Sequence, residues 1–488
     1  MAMRQKQAIQ AMSGSHKRRL WLAAGAALFL LILLGVPETA MPQAANRVAA
    51  VAVLMAVFWI GEAIPIPATA LLPVVLFPLL GLMPVESVTA NYANHLVFLF
   101  LGGFWIAAAV ERCNLHRRIA LHVLRLMGER IDRIIFGFMA ATAFLSMWLS
   151  NTATTMMMLP IAMAVASRLG STTHTAFGRA LMLGIAYSAS IGGVATLIGT
   201  PPNAVLAGIL EKSQGITISF WHWMQFGVPL ALLMLIICWW YLTRINARLG
   251  NLEGGQGIEL IINELVSLGK MTTAETRVLV IFAAVASLWV FKGLLPFPVL
   301  NSLSDSTIAI AGALALFVVP AGDPVPGGLL DWESAVRVPW DVLILFGGGF
   351  ALAQGFQQSG LTEWIGLQLN FLKDVHWSLL VLMVALVTIF LTELTSNTAT
   401  ASMLLPIVAG LAAAAGHDAL LPMVATALAA SFAFMLPVAT PPNAIVFASR
   451  QISIGEMARA GIWMNLIGIA LIVLFVSQWL PVVWGLNP

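Results

Sequence analysis

Ser150-Asn151-Thr152-Ala153-Thr154 recurs as Ser396-Asn397-Thr398-Ala399-Thr400, a shift of 246 positions along the chain. Aligned from the serine, the two copies continue as SNTATTMMMLPI and SNTATASMLLPI, so the match extends beyond the polar residues. A second pair of motifs follows, GTPPNA at residues 199–204 and ATPPNA at residues 439–444, with a shift of 240 positions. All four motifs interrupt apolar runs. The chain is therefore an internal duplication whose matching parts are polar breaks in hydrophobic segments.

The composition is that of a membrane protein with many helices. Of the 488 residues, 60% are hydrophobic and 9% are charged, whereas soluble globular chains carry roughly a quarter charged residues. At roughly 20 residues for each crossing, there is room for about a dozen spans. The two cysteines, Cys113 and Cys238, are too few for a disulfide framework. The N-terminal basic residues precede a long apolar run without a good cleavage site, which we interpret as a retained first span rather than a signal peptide.

The hydropathy pattern predicts a series of apolar segments. Uninterrupted candidate spans cover about residues 20–37, 46–60, 65–82, 95–111, 219–241, 277–294, 305–320, 341–356 and 461–484. Two further segments, about 134–166 and 377–411, break at Ser-Asn-Thr, and two more, about 180–210 and 419–449, break at Thr-Pro-Pro. The polar stretch 250–269 is predicted to be a cytoplasmic loop that includes a surface helix.

The distribution of basic residues decides whether each Ser-Asn-Thr segment crosses the membrane or turns back, because cytoplasmic loops are enriched in Lys and Arg. With a cytoplasmic N-terminus and two re-entrant hairpins, 20 of the 24 Lys and Arg residues lie inside. The four outside are Arg47, Lys212, Lys292 and Lys373. A first segment that crossed would instead move Arg168 and Arg179 outside. The sequence therefore predicts an all-α polytopic membrane protein with about 11 transmembrane helices, two re-entrant helical hairpins in an inverted repeat, and a C-terminus outside.

The four breaks have the residue types of an ion and anion site. Backbone that leaves helical geometry at membrane depth needs protein or a water-filled cavity around it, and inverted repeats with matching broken helices indicate a binding site at the midplane. Pro201 and Pro441 disfavour helical geometry at the preceding threonine and suit the first turn of the next helix. Half-helix N-termini attract carboxylates. Half-helix C-termini, together with Ser and Asn oxygens, suit sodium.

The absence of basic residues supports the same interpretation. No Lys or Arg occurs in residues 134–167, 180–211 or 374–449. A dianion bound there would be costly unless cations accompanied it. The sequence therefore indicates an anion carried with at least two cations, one held by each repeat.

Several features admit a plainer explanation. A single Ser-Asn-Thr in a membrane helix most often serves interhelical hydrogen bonding, but two copies, each followed by a Pro-Pro-Asn break, argue against packing alone. Close helix packing is the favoured explanation for the glycines at 102–103 and 347–349. Glu62 and Glu393 are acids at or near membrane depth and hence functional candidates. Two roles stay open for Glu393, orienting the second hairpin or binding a cation directly. No nucleophile motif, nucleotide loop or His/Glu metal spacing occurs, which argues against an intramembrane enzyme.

At these motifs the chain resembles the divalent anion/sodium symporter family, also called the dicarboxylate/sodium symporters. The match runs from Glu62-Ala63-Ile64-Pro65 through both pairs of motifs. The resemblance implies a homodimer, each protomer with a scaffold domain and a transport domain that moves as an elevator. Arm helices after Glu111 and after Gly360 would connect the two domains.

The resemblance also implies a division of the chain and a set of site residues. N-terminal scaffold helices would cover residues 1–94, the first inverted repeat 95–241, a cytoplasmic loop 242–276, further scaffold helices 277–340, and the second repeat with the last transmembrane helix 341–488. The first sodium site would comprise Ser146, Ser150, Asn151 and Gly199, and the second Thr392, Thr395, Asn397 and Ala439. Substrate contacts would come from Asn151, Thr152, Thr200, Pro201, Asn397, Thr398, Thr440 and Pro441.

The function expected from this resemblance is sodium-coupled symport of C4-dicarboxylates such as succinate, malate or fumarate across the inner membrane into the cell. The expected partners are the dicarboxylate, at least two sodium ions, membrane lipid and a second copy of the chain, with no nucleic acid. Sodium-independent exchangers of the family depart from SNTAT at one or both tips, and this chain keeps it at both, which favours symport. Citrate or sulfate as cargo, and proton-coupled or exchange transport, stay open as alternatives. A passive anion channel is less favoured because it would leave the duplicated cation cages unexplained.

Overall fold

The computed structural model describes residues 2–169, 175–247, 249, 255–292, 303–322, 327–369 and 375–485. Within these ranges every extended regular element is a helix, and one isolated β-bridge joins Pro320 to Gly328. The all-α prediction is therefore confirmed. Part of the predicted loop at 250–269, and Lys373 of the predicted outer set, fall outside the described residues.

The first part of the chain forms an antiparallel helical pair followed by a segment divided by prolines. The helices are α1 (Ala2–Gly35), α2 (Gln43–Gly61), α3 (Ile66–Ala70), α4 (Leu72–Leu79) and α5 (Val85–Thr89). α1 packs along α2. The predicted span at 65–82 is present as the two short helices α3 and α4, each with a proline in its first turn, because proline suits that turn better than a helix interior.

The first repeat contains the predicted hairpin and the predicted broken span. Its helices are α6 (His95–Arg112), α7 (Leu115–Leu126), α8 (Ile131–Ser146), α9 (Asn151–Arg168), α10 (Ala176–Gly193), α11 (Pro201–Gln214) and α12 (Phe220–Trp240), the last continuing as a π-helical turn, Tyr241–Asn246. α8 and α9 pack against each other and are joined by the short turn 147–150. α10 and α11 are separated by the non-helical stretch 194–200.

In the described part of the region between the repeats there are four helices. They are α13 (Gly255–Ser267), α14 (Thr273–Phe291), α15 (Asp305–Val318) and α16 (Trp332–Ala335). α15 packs closely on α6, where an added Cβ at Gly102 would lie 2.7 Å from the backbone of Ala309. α13 contacts both α7 and α9, and thus lies against the first hairpin.

The second repeat has the same order of elements as the first. Its helices are α17 (Trp340–Gln358), α18 (Leu361–Gln368), α19 (Trp377–Thr392), α20 (Asn397–Ala414), α21 (Leu420–Ser431), α22 (Pro441–Ala448) and α23 (Ile454–Leu474). A π-helical turn, Phe475–Trp479, and α24 (Leu480–Trp484) follow as the last described elements. The turn 393–396 joins the second hairpin, and residues 432–440 form the second break. At Gly348 an added Cβ would lie 2.4 Å from the carbonyl oxygen of Ala70, which confirms the packing role predicted for the glycines of α17.

Only some of the predicted spans are single helices long and apolar enough to cross a membrane. Among the described residues, seven helices are long and apolar enough to cross a membrane. Four shorter apolar helices cover Ile66–Leu79, Asp305–Val318, Trp377–Thr392 and Leu420–Ser431. Two of these four belong to the broken segments of the second repeat, where the motif itself interrupts the helix and shortens it below the length of a full crossing.

The two repeats interlock, and this brings the four motifs into one region. α11 of the first repeat packs on α20 and α21 of the second, and α22 of the second packs on α9 and α10 of the first. Each half-helix that follows a Pro-Pro motif therefore lies against the hairpin of the other repeat. The hydroxyls of Thr200 and Ser431 lie 3.3 Å apart at this junction.

Candidate functional site

The first hairpin tip gathers oxygen atoms around one hydroxyl. Ser146 ends α8, and its Oγ lies 2.6 Å from Oδ1 of Asn151 and 2.7 Å from the carbonyl oxygen of Ala189. A hydroxyl has one proton and can donate to only one of these two acceptors. The hydroxyl, amide and carbonyl oxygens of Ser146, Asn151 and Ala189 therefore have one hydrogen among them. A cation bound to these three oxygens would balance the lone pairs that have no donor.

Two glycines of the broken span complete this first cluster. An added Cβ at Gly193 would lie 2.8 Å from Oδ1 of Asn151 and 3.1 Å from the carbonyl oxygen of Gly199. The structure thus brings together three of the four residues predicted for the first sodium site, Ser146, Asn151 and Gly199. The fourth, Ser150, accepts a hydrogen bond from the backbone N–H of Ala153 at 3.2 Å and caps α9 with its hydroxyl. Sequence reasoning missed Gly193, whose close approach depends on the tertiary fold.

The second tip repeats the arrangement with a threonine. Thr392 ends α19, and its Oγ1 lies 2.8 Å from Oδ1 of Asn397 and 2.9 Å from the carbonyl oxygen of Ala430. Thr395, also predicted for this site, instead donates its hydroxyl to the carbonyl oxygen of Leu391 at 3.0 Å, and its oxygen also lies within hydrogen-bond distance of the Thr400 hydroxyl. Ala439 lies in the second break, next to the predicted substrate residue Thr440.

The predicted substrate residues occupy the starts of four half-helices. Thr152 and Thr398 lie in the first turns of α9 and α20, and Pro201 and Pro441 begin α11 and α22. Thr200 and Thr440 are extended, with φ of −142° and −153°, as the following prolines predict. The first N–H groups of a helix have no partner within it, and the positive end of its dipole favours anions. The starts of α9 and α20 therefore offer N–H groups to a carboxylate. α11 and α22 each begin with two prolines, which carry no N–H, so at these two starts only the helix dipole favours an anion.

Two equivalent asparagine side chains form hydrogen bonds to backbone carbonyl oxygens in the two chain breaks. Nδ2 of Asn203 donates to the carbonyl oxygen of Thr196 at 2.8 Å, and Nδ2 of Asn443 donates to the carbonyl oxygens of Leu436 at 3.0 Å and Ala433 at 3.1 Å. Both side chains are fully buried. Sequence reasoning quoted these asparagines within Thr-Pro-Pro-Asn but gave them no role. Their exact correspondence under the shift of 240 positions was the signal that could have found them.

The two acids predicted at or near membrane depth have different surroundings. Oε1 of Glu393 accepts from the N–H groups of Phe434 and Met435 at 2.8 and 2.9 Å and from Nδ2 of Asn465 at 2.8 Å. Its Oε2 accepts from the N–H of Leu436 at 3.1 Å. Of the two roles left open for it, these bonds support orientation of the second tip and break. Glu62 caps α2 in a left-handed conformation with φ of 45° and lines a separate cavity with Arg18 and Asp341.

Two cavities flank the first hairpin. One, of about 490 Å³, is lined by Ser150, Arg112 and Arg337, and the other, of about 590 Å³, by Leu149 and Arg117 among others. The three arginines belong to segments that the charge distribution assigns to the cytoplasm. The first tip is therefore reached from the predicted cytoplasmic side in this conformation.

Comparison with known families agrees with the motifs. The family model for the sodium:sulfate symporter transmembrane region matches residues 16–486. The chain belongs to this family. The resemblance drawn from the motifs is thereby confirmed, and the protein is a multi-pass membrane transporter rather than an enzyme.

Close relatives and solved structures extend the comparison. The sodium-dependent dicarboxylate transporter SdcS of Staphylococcus saprophyticus is 43% identical over 479 residues, which cover 96% of this chain and 92% of SdcS. SdcS of Staphylococcus aureus, strain bovine RF122, is 45% identical over 479 residues, which again cover 96% of this chain and 92% of SdcS.

Two solved transporters share the fold. MtrF of Neisseria gonorrhoeae has a TM-score of 0.56 at 14% identity and covers 81% of this chain and 83% of its own. The YdaH transporter of Alcanivorax borkumensis has a TM-score of 0.53 at 13% identity and covers 82% and 89%. At these identities the likeness concerns the fold alone.

Proposed function

We propose that the protein is a sodium-coupled symporter that carries C4-dicarboxylates such as succinate, malate and fumarate into the cell. One observation carries the proposal. In each repeat a hydroxyl, that of Ser146 or Thr392, meets an asparagine Oδ1 and a backbone carbonyl oxygen with one proton among them. Such sets of hard oxygen atoms suit sodium. The relatives named sodium-dependent dicarboxylate transporter, at 43% and 45% identity, support both the coupling ion and the cargo.

The arrangement explains how a dianion would bind without a basic side chain. Each asparagine can turn its Oδ1 toward a cation and its NH₂ group toward a carboxylate. In this scheme Asn151 and Asn397 each bridge one sodium ion and one end of the dicarboxylate. The N-termini of α9 and α20 supply further N–H donors, while α11 and α22, which begin with Pro-Pro, add the positive ends of their dipoles. At least two sodium ions then offset the two negative charges of the cargo, so the dicarboxylate binds only weakly without sodium.

Polar contacts link the elements that would move together. Arg244 of the turn after α12 contacts Asp132 at the start of the first hairpin at 3.0 Å. Arg179 of α10 contacts Glu456 of α23 at 2.7 Å, which ties the first repeat to the second. With Glu393 bonded to Asn465, both hairpins, both broken spans, α12 and α23 are joined into one unit. This set forms the transport domain of the proposed elevator.

The arm helix α7 is fastened to the connecting region. Nε of Arg118 lies 2.7 Å from Oε1 of Glu275, and its Nη1 donates to the carbonyl oxygen of Gly269 at 2.9 Å. Glu275 and Thr272 also form the capping box of α14. Both side chains of the ion pair are largely buried. A fixed arm of this kind would let the transport domain move against a scaffold, which the proposal places in a homodimer in the inner membrane with a cytoplasmic N-terminus.

Sulfate is the alternative cargo with a specific observation behind it, since the description of the family model names sulfate. The test is uptake of radiolabelled succinate by proteoliposomes, with and without an inward sodium gradient, against excess malate, fumarate, citrate or sulfate. We expect sodium-dependent uptake that malate and fumarate inhibit most. Uptake that is the same with and without the sodium gradient would contradict sodium coupling. Stronger inhibition by sulfate or citrate than by malate would contradict a C4-dicarboxylate as the cargo.

A further inference from the structure

One residue breaks the symmetry between the two tips. Glu393 directly follows the clustered hydroxyl of Thr392, and the shift of 246 positions puts Met147 at the matching place after Ser146. In the first repeat the tip is joined to its break by a neutral bond, from the Thr196 hydroxyl to the Met147 carbonyl at 2.6 Å. In the second repeat a carboxylate makes the corresponding link. The two tips are therefore alike in geometry and unlike in charge.

Among the described residues, the hydrogen-bond donors to the Glu393 carboxylate are all neutral. Three consecutive backbone N–H groups, of residues 434–436, and the amide of Asn465 bond to it at 2.8 to 3.1 Å. The residue is 3% exposed. The sequence holds no Lys or Arg between Asp374 and Ser449. Burial of a charge is costly unless hydrogen bonds and an opposite charge compensate it. The hydrogen bonds are present, and a cation bound beside Thr392 would supply the opposite charge.

The same bonds fix the backbone of the second break. Residues 434–436 are held by Glu393 through their N–H groups, while Asn443 binds the carbonyl oxygens of Ala433 and Leu436. Both the N–H groups and the carbonyl oxygens of this short stretch are thus hydrogen-bonded to buried side chains. The position of Ala439, three residues beyond Leu436, depends on that stretch.

We propose that Glu393 is a positioning residue for the second cation, and that its charge makes the second cage the tighter of two sodium sites. The inference rests on the proposed sodium coupling but not on the identity of the cargo. At an effective dielectric of about 20, one unit charge about 10 Å from a bound cation strengthens its binding by on the order of tenfold, and a nearer charge by more. Sodium accordingly fills the second cage first, and the first cage fills at higher concentration.

The test measures sodium alone, without any organic anion. Thermal stability of the purified full-length protein is followed against sodium, with lithium as a probe of cage geometry, since a ligand stabilises the fold by an amount set by its concentration relative to Kd. The variants are E393Q, E393D and N465A. M147Q, which puts an amide at the symmetric position, is the matched control. S146A and T392A each remove one cage.

We expect E393Q to raise the half-saturating sodium concentration about tenfold, and N465A to raise it by a smaller factor because one of four bonds is lost. E393D, which keeps the charge on a shorter side chain, should recover part of the sodium affinity and alter the ratio of lithium to sodium response. M147Q should leave the high-affinity response unchanged. T392A should abolish that response, whereas S146A should spare it.

Two results would overturn the inference. One is a folded E393Q protein with sodium and lithium responses like those of the parent. The other is loss of the high-affinity response in S146A and its retention in T392A. If E393Q does not fold, the sodium responses of T392A and S146A alone decide whether the second cage is the tighter site. Because no dicarboxylate is present, failure of the proposed cargo would show in the uptake assay and leave this measurement intact.

Discussion

Asn203 and Asn443, 240 positions apart, bind the backbone of the two chain breaks through equivalent Nδ2 groups. Asn203 donates to the Thr196 carbonyl oxygen at 2.8 Å, and Asn443 donates to the equivalent Leu436 carbonyl oxygen at 3.0 Å. A carbonyl that loses its buried donor costs about 1–3 kcal/mol. The geometry of each break, and hence of the adjacent cation cage, therefore depends on a residue that need not contact the cation.

We expect N203A and N443A to lower thermal stability and also to weaken sodium binding, because the break carbonyls lose their fixed positions. The matched control is N46A. Asn46 is also buried, and its Nδ2 lies 3.4 Å from the carbonyl oxygen of Leu33 and 3.5 Å from that of Val36, in the N-terminal helical pair. N46A should lower stability without changing the half-saturating sodium concentration. Equal sodium affinity in all three variants would show that the asparagines serve stability alone.

A second prediction concerns the asparagines of the tips. N151D and N397D keep the size of the side chain but replace the amide donor with a negative charge beside a dianion. At a few ångströms and an effective dielectric of about 20, this repulsion costs on the order of 4 kcal/mol, or roughly three decades in dicarboxylate affinity. N151A and N397A should cost less, because they remove bonds without adding repulsion. Sodium-dependent succinate binding to the purified variants measures both effects.

Linkage provides the internal control for these variants. Because sodium and cargo share the asparagine, an alanine variant should lose apparent affinity for both ligands together. Folding is checked by thermal melt in the absence of ligand. Folded aspartate variants that bind succinate and sodium like the parent would mean that the two tips are not the site.

The positions of the hairpins and breaks were predictable because the motifs that define them are local. Segments expected at about 134–166 and 377–411 are the hairpins α8–α9 and α19–α20, which span residues 131–168 and 377–414. At the two chain breaks, proline fixes the starts of α11 and α22 through its own backbone, so no tertiary information is needed to locate these starts.

The bonds that shape the site were not predictable, because they join residues far apart in the sequence. Glu393 meets the break about 40 positions later and Asn465 a further 30 beyond it. No periodicity of apolar residues reports such contacts. The hydropathy pattern also could not show that the hydroxyls of Ser150 and Thr395 bond within their own hairpins. Whether their backbone oxygens or hydroxyls also contact sodium stays a prediction.

A third prediction tests the anchoring of the arm helix. Removing one member of a buried ion pair leaves an uncompensated charge and costs about 3–5 kcal/mol. R118M or E275Q alone should therefore destabilise the protein and slow uptake, while sodium binding to the isolated protein is kept. The double variant R118M/E275Q should recover much of the stability, because no buried charge is left unpaired. Additive losses in the double variant would show that the two residues act independently.

A fourth prediction tests the inverted topology. Cysteines are introduced singly at Arg168, where α9 ends, and at Gly416, beyond the end of α20, in a chain whose Cys113 and Cys238 have been replaced. The first should react with an impermeant thiol reagent only from the cytoplasmic side, and the second only from outside, because the hairpins enter from opposite faces. Reaction of both from the same side would end the inverted-repeat arrangement.

The last prediction tests the elevator through two contacts of similar length. Nε2 of His95 on α6 lies 2.7 Å from Oε2 of Glu211 on α11, at the predicted outer face. In the proposed mechanism α6 belongs to the static part and α11 to the moving part, so this contact must break during transport. The contact of Arg179 with Glu456, also 2.7 Å, lies within the moving part and should persist. Cysteine pairs H95C/E211C and R179C/E456C, in the background without Cys113 and Cys238, are crosslinked with a short bifunctional thiol reagent.

We expect the first crosslink to abolish sodium-dependent uptake while sodium binding is retained, and the second to leave uptake largely intact. A short disulfide-containing reagent makes the block reversible, and added reductant should restore uptake in H95C/E211C. If a fully crosslinked H95C/E211C protein transports at the parent rate, the outer ends of α6 and α11 do not separate, and the elevator assignment of these two helices is wrong.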